Sequence, residues 1–176
     1  ETHAGRAVYD LAGPEATKTG EAAQGIEKVT EWFGPDHPYL RAIAAVRGRH
    51  GPRAYPGSPM LAGELLRFED NLTLAELHPQ ECAALRDAMA DYPATCVQRD
   101  GFAEAISRTP PDPRRGLLLC DPSFEVKDDY KTIPDFFAKL HRRWPVGVLV
   151  LWYPILTSGP HRVMVADLMR LLADGF

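Results

Sequence analysis

The sequence predicts an α/β protein: a mostly parallel sheet flanked by helices. Three observations lead there. First, Leu117-Leu118-Leu119-Cys120 is a continuous apolar run of strand length that stops abruptly at Asp121-Pro122. That is the pattern of a buried parallel strand whose carboxyl end opens onto a loop. Second, further strand-length runs over 72–76, 94–98 and 147–152 end in the same way, each at a polar, glycine or proline signal. Third, patterns of helical period stand between these runs, as crossovers between parallel strands require. Ligands of open α/β sheets bind outside the carboxyl ends of the strands. The residues just past each run are therefore the candidate functional ones.

Composition narrows the class. A chain of 176 residues suits one domain with a real core, and 45% hydrophobic with 25% charged residues is ordinary for a globular protein. A net charge of −4 and a pI near 5.9 give no global attraction to nucleic acid, so any such contact must come from a local patch. Cys82, Cys96 and Cys120 lie far apart with no CxxC pair. That points to reduced thiols and a cytoplasmic protein, rather than a disulfide frame or a zinc site. The most apolar run, 146–153, is far short of the ~18 residues a membrane-spanning helix needs. No G-x-G-x-x-G follows a strand pattern, which argues against a nicotinamide-dependent dehydrogenase. No signal peptide is visible, and the opening at Glu1 is expected to be a cut inside a motif.

Glu1-Thr2-His3-Ala4-Gly5 places an acid shortly before a glycine, as at the end of the first strand of nucleotide-binding sheets. Residues 21–33 and 39–46 read as amphipathic helices, closed by Gly34-Pro35 and by a break over 48–52. Together they form a helical insertion over 20–53. Arg41, Arg47, Arg49, His50 and Arg53 make it the most basic part of the chain, either a solvated surface or a patch for phosphates. Ser58 reads as the N-cap of a helix over 60–68, with Pro59 as its first residue. A helix N-terminus there could also meet an anion.

The run over 72–76 ends in Glu76, placed as the usual partner of ribose hydroxyls or as a surface carboxylate. Leu77-His78-Pro79 and a helix over 80–89 follow. After 94–98, Asp100-Gly101-Phe102 is a turn signal. Asp100 could equally accept a hydrogen bond from an adenine amino group. A short helix is expected over 103–107, and a proline- and arginine-rich loop over 109–115. Beyond the central run, Asp121 can accept from an exocyclic NH2, and the Pro122 carbonyl offers a second acceptor. Phe124 can stack on a ring face, worth roughly 1–3 kcal/mol. The plain alternative is a strand followed by an Asp-Pro turn. Helices are expected over 130–143, ending in His141-Arg142-Arg143 against the helix dipole, and over 161–172.

The Asp121-Pro122-Ser123-Phe124-Glu125 stretch resembles the Asp-Pro-Pro-Tyr/Phe loop of amino methyltransferases, with Ser123 in place of the second proline. The whole order of motifs is Glu-Thr-His-Ala-Gly, the helical insert, Pro-Gly-Ser-Pro, Glu-Leu-His-Pro, Asp-Gly-Phe, Asp-Pro-Ser-Phe-Glu and Leu-Trp-Tyr-Pro. From Glu1 to Phe176 it resembles the RlmJ family, bacterial enzymes that methylate N6 of one adenine in large-subunit ribosomal RNA.

The resemblance implies a Rossmann-like, S-adenosylmethionine-dependent methyltransferase fold, with a mostly parallel seven-stranded sheet and helices on both faces. It implies a single methyltransferase domain over 1–176, incomplete at both ends. Glu1, where the family usually has aspartate, would line the S-adenosylmethionine site with His3 and Gly5. Ser58 would lie near the methionine end, and Glu76 would take the ribose hydroxyls. Asp100 and the Gly101 backbone would hold the cofactor adenine. Asp121, Pro122 and Phe124 would hold the target adenine, with S-adenosylhomocysteine as product and no metal. The implied partner is a ribosomal RNA hairpin, with phosphate contacts at Arg47, Arg49 and Arg53. The protein is expected to be a cytoplasmic monomer. Two rivals stay open: a DNA amino-methyltransferase, and a non-catalytic relative that binds nucleic acid or cofactor.

Overall fold

A computed structural model of the chain describes residues 1–13, 25, 28 and 30–175. The fold falls into two compact units, Glu1–His3 with Arg99–Phe176, and Ala4–Gln98. Most of the helix expected over 21–33 lies outside the described residues, as does part of the 20–53 insertion; a 3-10 turn stands at Thr30–Trp32.

In the Ala4–Gln98 unit, strand β1 (Val8–Asp10) pairs antiparallel with β2 (Ala54–Pro56). The sequence assigns no strand to either stretch, because three residues are too few to show a period. Helix α1 (Pro38–His50) lies between them in the chain. Pro38 opens it, and the His37 ring accepts from the Tyr39 N–H at 3.3 Å. Ala42, Ile43 and Val46 are its buried face. It runs past the expected break at Gly48 and stops at Gly51, whose left-handed φ of 101° suits glycine.

Helix α2 (Ser58–Leu65) corrects the expected cap. Gly57, not Ser58, is the N-cap, so Ser58 is the first helical residue. The Gly57 N–H donates to the Ala7 carbonyl at 2.8 Å, and a Cβ at 57 would meet the Tyr9 ring at 2.9 Å. The close approach of that turn fixes where the helix starts. Its end at Leu65 leaves Phe68 91% exposed. Strand β3 (Leu72–Ala75) pairs in parallel with β4 (Ala94–Val97), joined by helix α3 (Pro79–Ala88). The core of this unit gathers Val46, Met60, Leu74, Leu85 and Met89.

In the other unit, helix α4 (Gly101–Arg108) precedes β5 (Leu117–Cys120). Helix α5 (Asp129–Arg143) carries the chain to β6 (Val148–Leu151), parallel to β5 with Cys120 opposite Leu151. Helix α6 (Pro160–Gly175) follows. Leu118 and Cys120 on β5 meet Phe136, Leu140 and Trp144 in one buried cluster. Phe124, Tyr130, Ile133 and Met164 form a second. The Trp144 indole N–H donates to the Arg114 carbonyl at 2.7 Å, tying the end of α5 to the loop before β5. Pro134 sits in the second turn of α5 and denies the Tyr130 carbonyl its helical donor. Among the described residues no helix is long and apolar enough to cross a membrane.

Candidate active site

Glu76 stands just past the carboxyl end of β3, where its carboxylate is held by two backbone donors. The Gly5 N–H gives one bond of 2.8 Å and the His78 N–H another of 2.7 Å, one to each oxygen. Each oxygen keeps a lone pair for a further donor, as a ribose diol would need. Gly5 reaches this geometry with φ +62°, a region open to glycine at no steric cost. The same turn is fixed on its far side. Arg6 grips Glu81 of α3 with two bonds of 2.9 and 2.6 Å, and Ala7 receives the Gly57 N–H next to Ser58. Gly5, Glu76 and the start of α2 at Ser58, read separately in the sequence, thus meet around one turn. His78 caps nothing with its side chain; its backbone serves Glu76 instead.

The other unit holds the remaining candidates. The Thr2 N–H donates to the Leu119 carbonyl at 3.0 Å, so Glu1–His3 runs beside β5. Gly101 packs flat on that segment: a Cβ there would fall 1.7 Å from the Thr2 carbonyl oxygen. No side chain fits, which explains this glycine without appeal to turn propensity. Asp100 is the N-cap of α4 and accepts from the Ala103 N–H at 2.7 Å. Its second oxygen retains acceptor capacity. Phe102 meets the His3 ring edge-on at 5.0 Å, and His3 Nδ1 lies 2.7 Å from the Thr2 hydroxyl.

Past β5, Asp121 is half-buried, and burial pushes its carboxyl above the usual range. Burial likewise lifts the Cys120 thiol to about 11, opposed by a hydrogen bond from Thr2. Pro122 is buried and Ser123 exposed. Phe124 turns inward, 8% exposed, with its ring 4.7 Å from that of Tyr130 and φ at +58°. That conformation is strained for an aromatic residue, and such strain collects at functional sites.

Sequence reasoning missed three residues here. Thr2 is buried between two candidates, with no signal of its own. Asp129 reads as an ordinary acid at a helix start. Its carboxyl is raised by burial, with the His3 charge opposing. Tyr130 reads as core, yet its buried hydroxyl has no partner. Among the described residues, no group of three metal-ligating side chains gathers.

The basic patch is largely engaged. Arg49 pairs with Glu64, Arg47 reaches the Ala54 carbonyl at 3.4 Å, and Arg53 reaches Asp10 at 3.4 Å.

Parallel strand pairs with crossover helices and acids at the strand ends define a Rossmann-like methyltransferase fold. The fold is shared with a crystal structure of protein LPL1258 from Legionella pneumophila. The TM-score is 0.86 at 29% identity, over 97% of this chain and 64% of that one. The family model described as ribosomal RNA large subunit methyltransferase D, RlmJ, matches residues 1–174, and the chain belongs to that family. Ribosomal RNA large subunit methyltransferase J of Escherichia coli is 36% identical over 174 residues, 96% of this chain and 61% of the relative. Its Haemophilus influenzae counterpart is 37% identical over 163 residues, 89% of this chain and 57% of the relative. The chain thus spans about three fifths of the length of these curated relatives. The resemblance drawn from motif order is borne out.

Proposed function

We propose that the protein transfers a methyl group from S-adenosylmethionine to N6 of an adenine in large-subunit ribosomal RNA. The observation that carries the reading is the end of β5. A half-buried carboxylate, Asp121, stands at the carboxyl end of a parallel strand, followed by a strained loop bearing Phe124. Family membership supports it. The Gly5–Glu76 arrangement fits the ribose hydroxyls of the donor, and Asp100 with the Gly101 backbone fits its adenine. The family resemblance further assigns Glu1 and His3 to the donor, and Ser58 to its methionine end. Bound S-adenosylmethionine would supply an electrophilic methyl on a sulfonium.

The target base is unstacked from an RNA hairpin at a cost of a few kcal/mol. Asp121 and the Pro122 carbonyl accept from its amine and so orient the nitrogen lone pair. Asp121 also stabilises the positive charge that grows on nitrogen as it gains the methyl, and its carboxylate stands ready for the released proton. Phe124, turned inward onto Tyr130 in the free protein, supplies the stacking face once it swings outward. Of Arg47, Arg49 and Arg53, the last is the most available for a phosphate, since its partner Asp10 is itself exposed. The protein works as a monomer in the cytoplasm, where its substrate is made.

Asp121→Asn in the full-length protein tests the mechanism. Transfer should fall by about 100-fold or more while donor affinity stays within about twofold of wild type. Transfer at the wild-type rate would sink the role given to Asp121.

A further inference from the structure

The Tyr130 hydroxyl is buried and hydrogen-bonds to nothing. It is the one such side-chain atom among the described residues, and Tyr130 as a whole is 9% exposed. Folded proteins leave few buried polar atoms unpaired, and each needs a reason. The surroundings supply one. The Tyr130 ring lies against Phe124, itself 8% exposed and held at φ +58°. An unpaired hydroxyl and a strained backbone therefore meet at a single contact. The helix is also short of a bond here, because Pro134 has no N–H to offer the Tyr130 carbonyl. Three local penalties thus converge on the loop that carries Asp121. In this arrangement the Phe124 face is spent on Tyr130 and is closed to a base.

Building on the function proposed above, we propose that Tyr130 is a positioning residue for the target-engaged loop. A target adenine draws Phe124 off Tyr130 and onto its own ring face, releasing the left-handed strain. The freed hydroxyl then donates to a backbone carbonyl of the 121–124 loop and holds Asp121 against the amine. The free arrangement is strained and unsatisfied, so engagement needs little driving beyond the stacking of the base. No covalent step involves Tyr130.

The test is Tyr130→Phe in the full-length protein, with wild type alongside. The assay is transfer of labelled methyl from S-adenosylmethionine to an unmodified ribosomal RNA hairpin. The expected result is a fall of about tenfold in kcat, equivalent to about 1.4 kcal/mol. KM for the donor should stay within about twofold, and Tm should be unchanged or higher, because an unpaired hydroxyl is gone. Tyr130→Leu, which also removes the ring, should lower Tm and kcat together. A kcat within twofold of wild type for Tyr130→Phe would overturn the inference. So would a fall in kcat matched by a fall in Tm of several degrees, which marks a merely structural hydroxyl. Absence of label from wild type would overturn the functional reading and this inference with it. An active wild type with an equally active Tyr130→Phe would overturn this inference alone.

Discussion

Gly101→Ala is the substitution whose cost the structure states most directly. The added Cβ would lie 1.7 Å from the Thr2 carbonyl oxygen, 2.5 Å from its carbon and 2.8 Å from its Cα. All three are backbone atoms, so no rotamer change relieves the clash. Thr2 would have to retreat until its carbonyl oxygen stands at least about 3 Å away. That breaks the 3.0 Å bond from the Thr2 N–H to Leu119. Overpacking of this kind costs about 1–3 kcal/mol, and the lost hydrogen bond about 1 kcal/mol more. Together they predict about 3 kcal/mol, or about 6–12 °C in Tm for a chain of this size. Thermal unfolding followed by circular dichroism reads it. Gly48→Ala is the control. Gly48 lies in α1 with nothing within 4 Å of the added methyl, so that variant should gain about 0.5–1 kcal/mol from helix propensity alone. A Gly101→Ala protein melting within about 1 °C of wild type would refute the packing argument. It would mean that Glu1–His3 is not clamped between α4 and β5.

Three further outcomes are expected. Burial raises the Asp121 carboxyl above its unfolded value. Its contribution to stability is therefore fully present below the unfolded pKa and is lost as pH rises through the folded one. Asp121→Asn should accordingly melt higher than wild type near neutral pH, with the gap closing in acid; a gap that widens in acid would reverse the sign. Glu76→Gln turns one acceptor toward a backbone donor into an NH2 group. The loss of a charge-assisted bond, about 1.5–3 kcal/mol, should lower Tm by several degrees and weaken S-adenosylmethionine at least about tenfold, as calorimetry would show; unchanged donor affinity would remove Glu76 from the site. Arg53→Ala should weaken RNA binding about equally across sequences and reduce the salt slope by about 1. A slope identical to wild type in a filter-binding titration would clear Arg53 of phosphate contact.

The parts of this fold that follow from sequence are those where one residue type carries one physical demand. The Leu117–Cys120 run is an apolar strand that stops at the half-buried Asp121, although only Leu118 and Cys120 of it are buried and Leu117 is 63% exposed. Glu76 was legible for the same reason at the end of β3. Helix ends were harder. Ser58 has the chemistry of a cap, yet Gly57 takes that place because the Ala7 carbonyl and the Tyr9 ring crowd it, contacts made across about fifty residues of chain. Strands β1 and β2 left no trace, since three residues cannot show a period and their pairing is set by distant partners. Phe124 was legible as an aromatic at the right spacing. Its inward turn onto Tyr130 was not, because φ +58° on a phenylalanine is a tertiary outcome that no local preference favours. The role of Gly101 was legible only in part: as a turn former it needs no neighbour, whereas its true constraint is the Thr2 backbone.

The most direct test of the central claim is methyl transfer from labelled S-adenosylmethionine by the full-length protein. The substrates are an unmodified large-subunit ribosomal RNA hairpin and duplex DNA in parallel, with digestion to nucleosides. The account predicts label on N6-methyladenosine from the RNA, little from the DNA, and loss of that label with Asp121→Asn. Label on DNA alone would move the activity to another polymer. Bound donor with no label on either would contradict the claim that Asp121 and its loop catalyse methyl transfer.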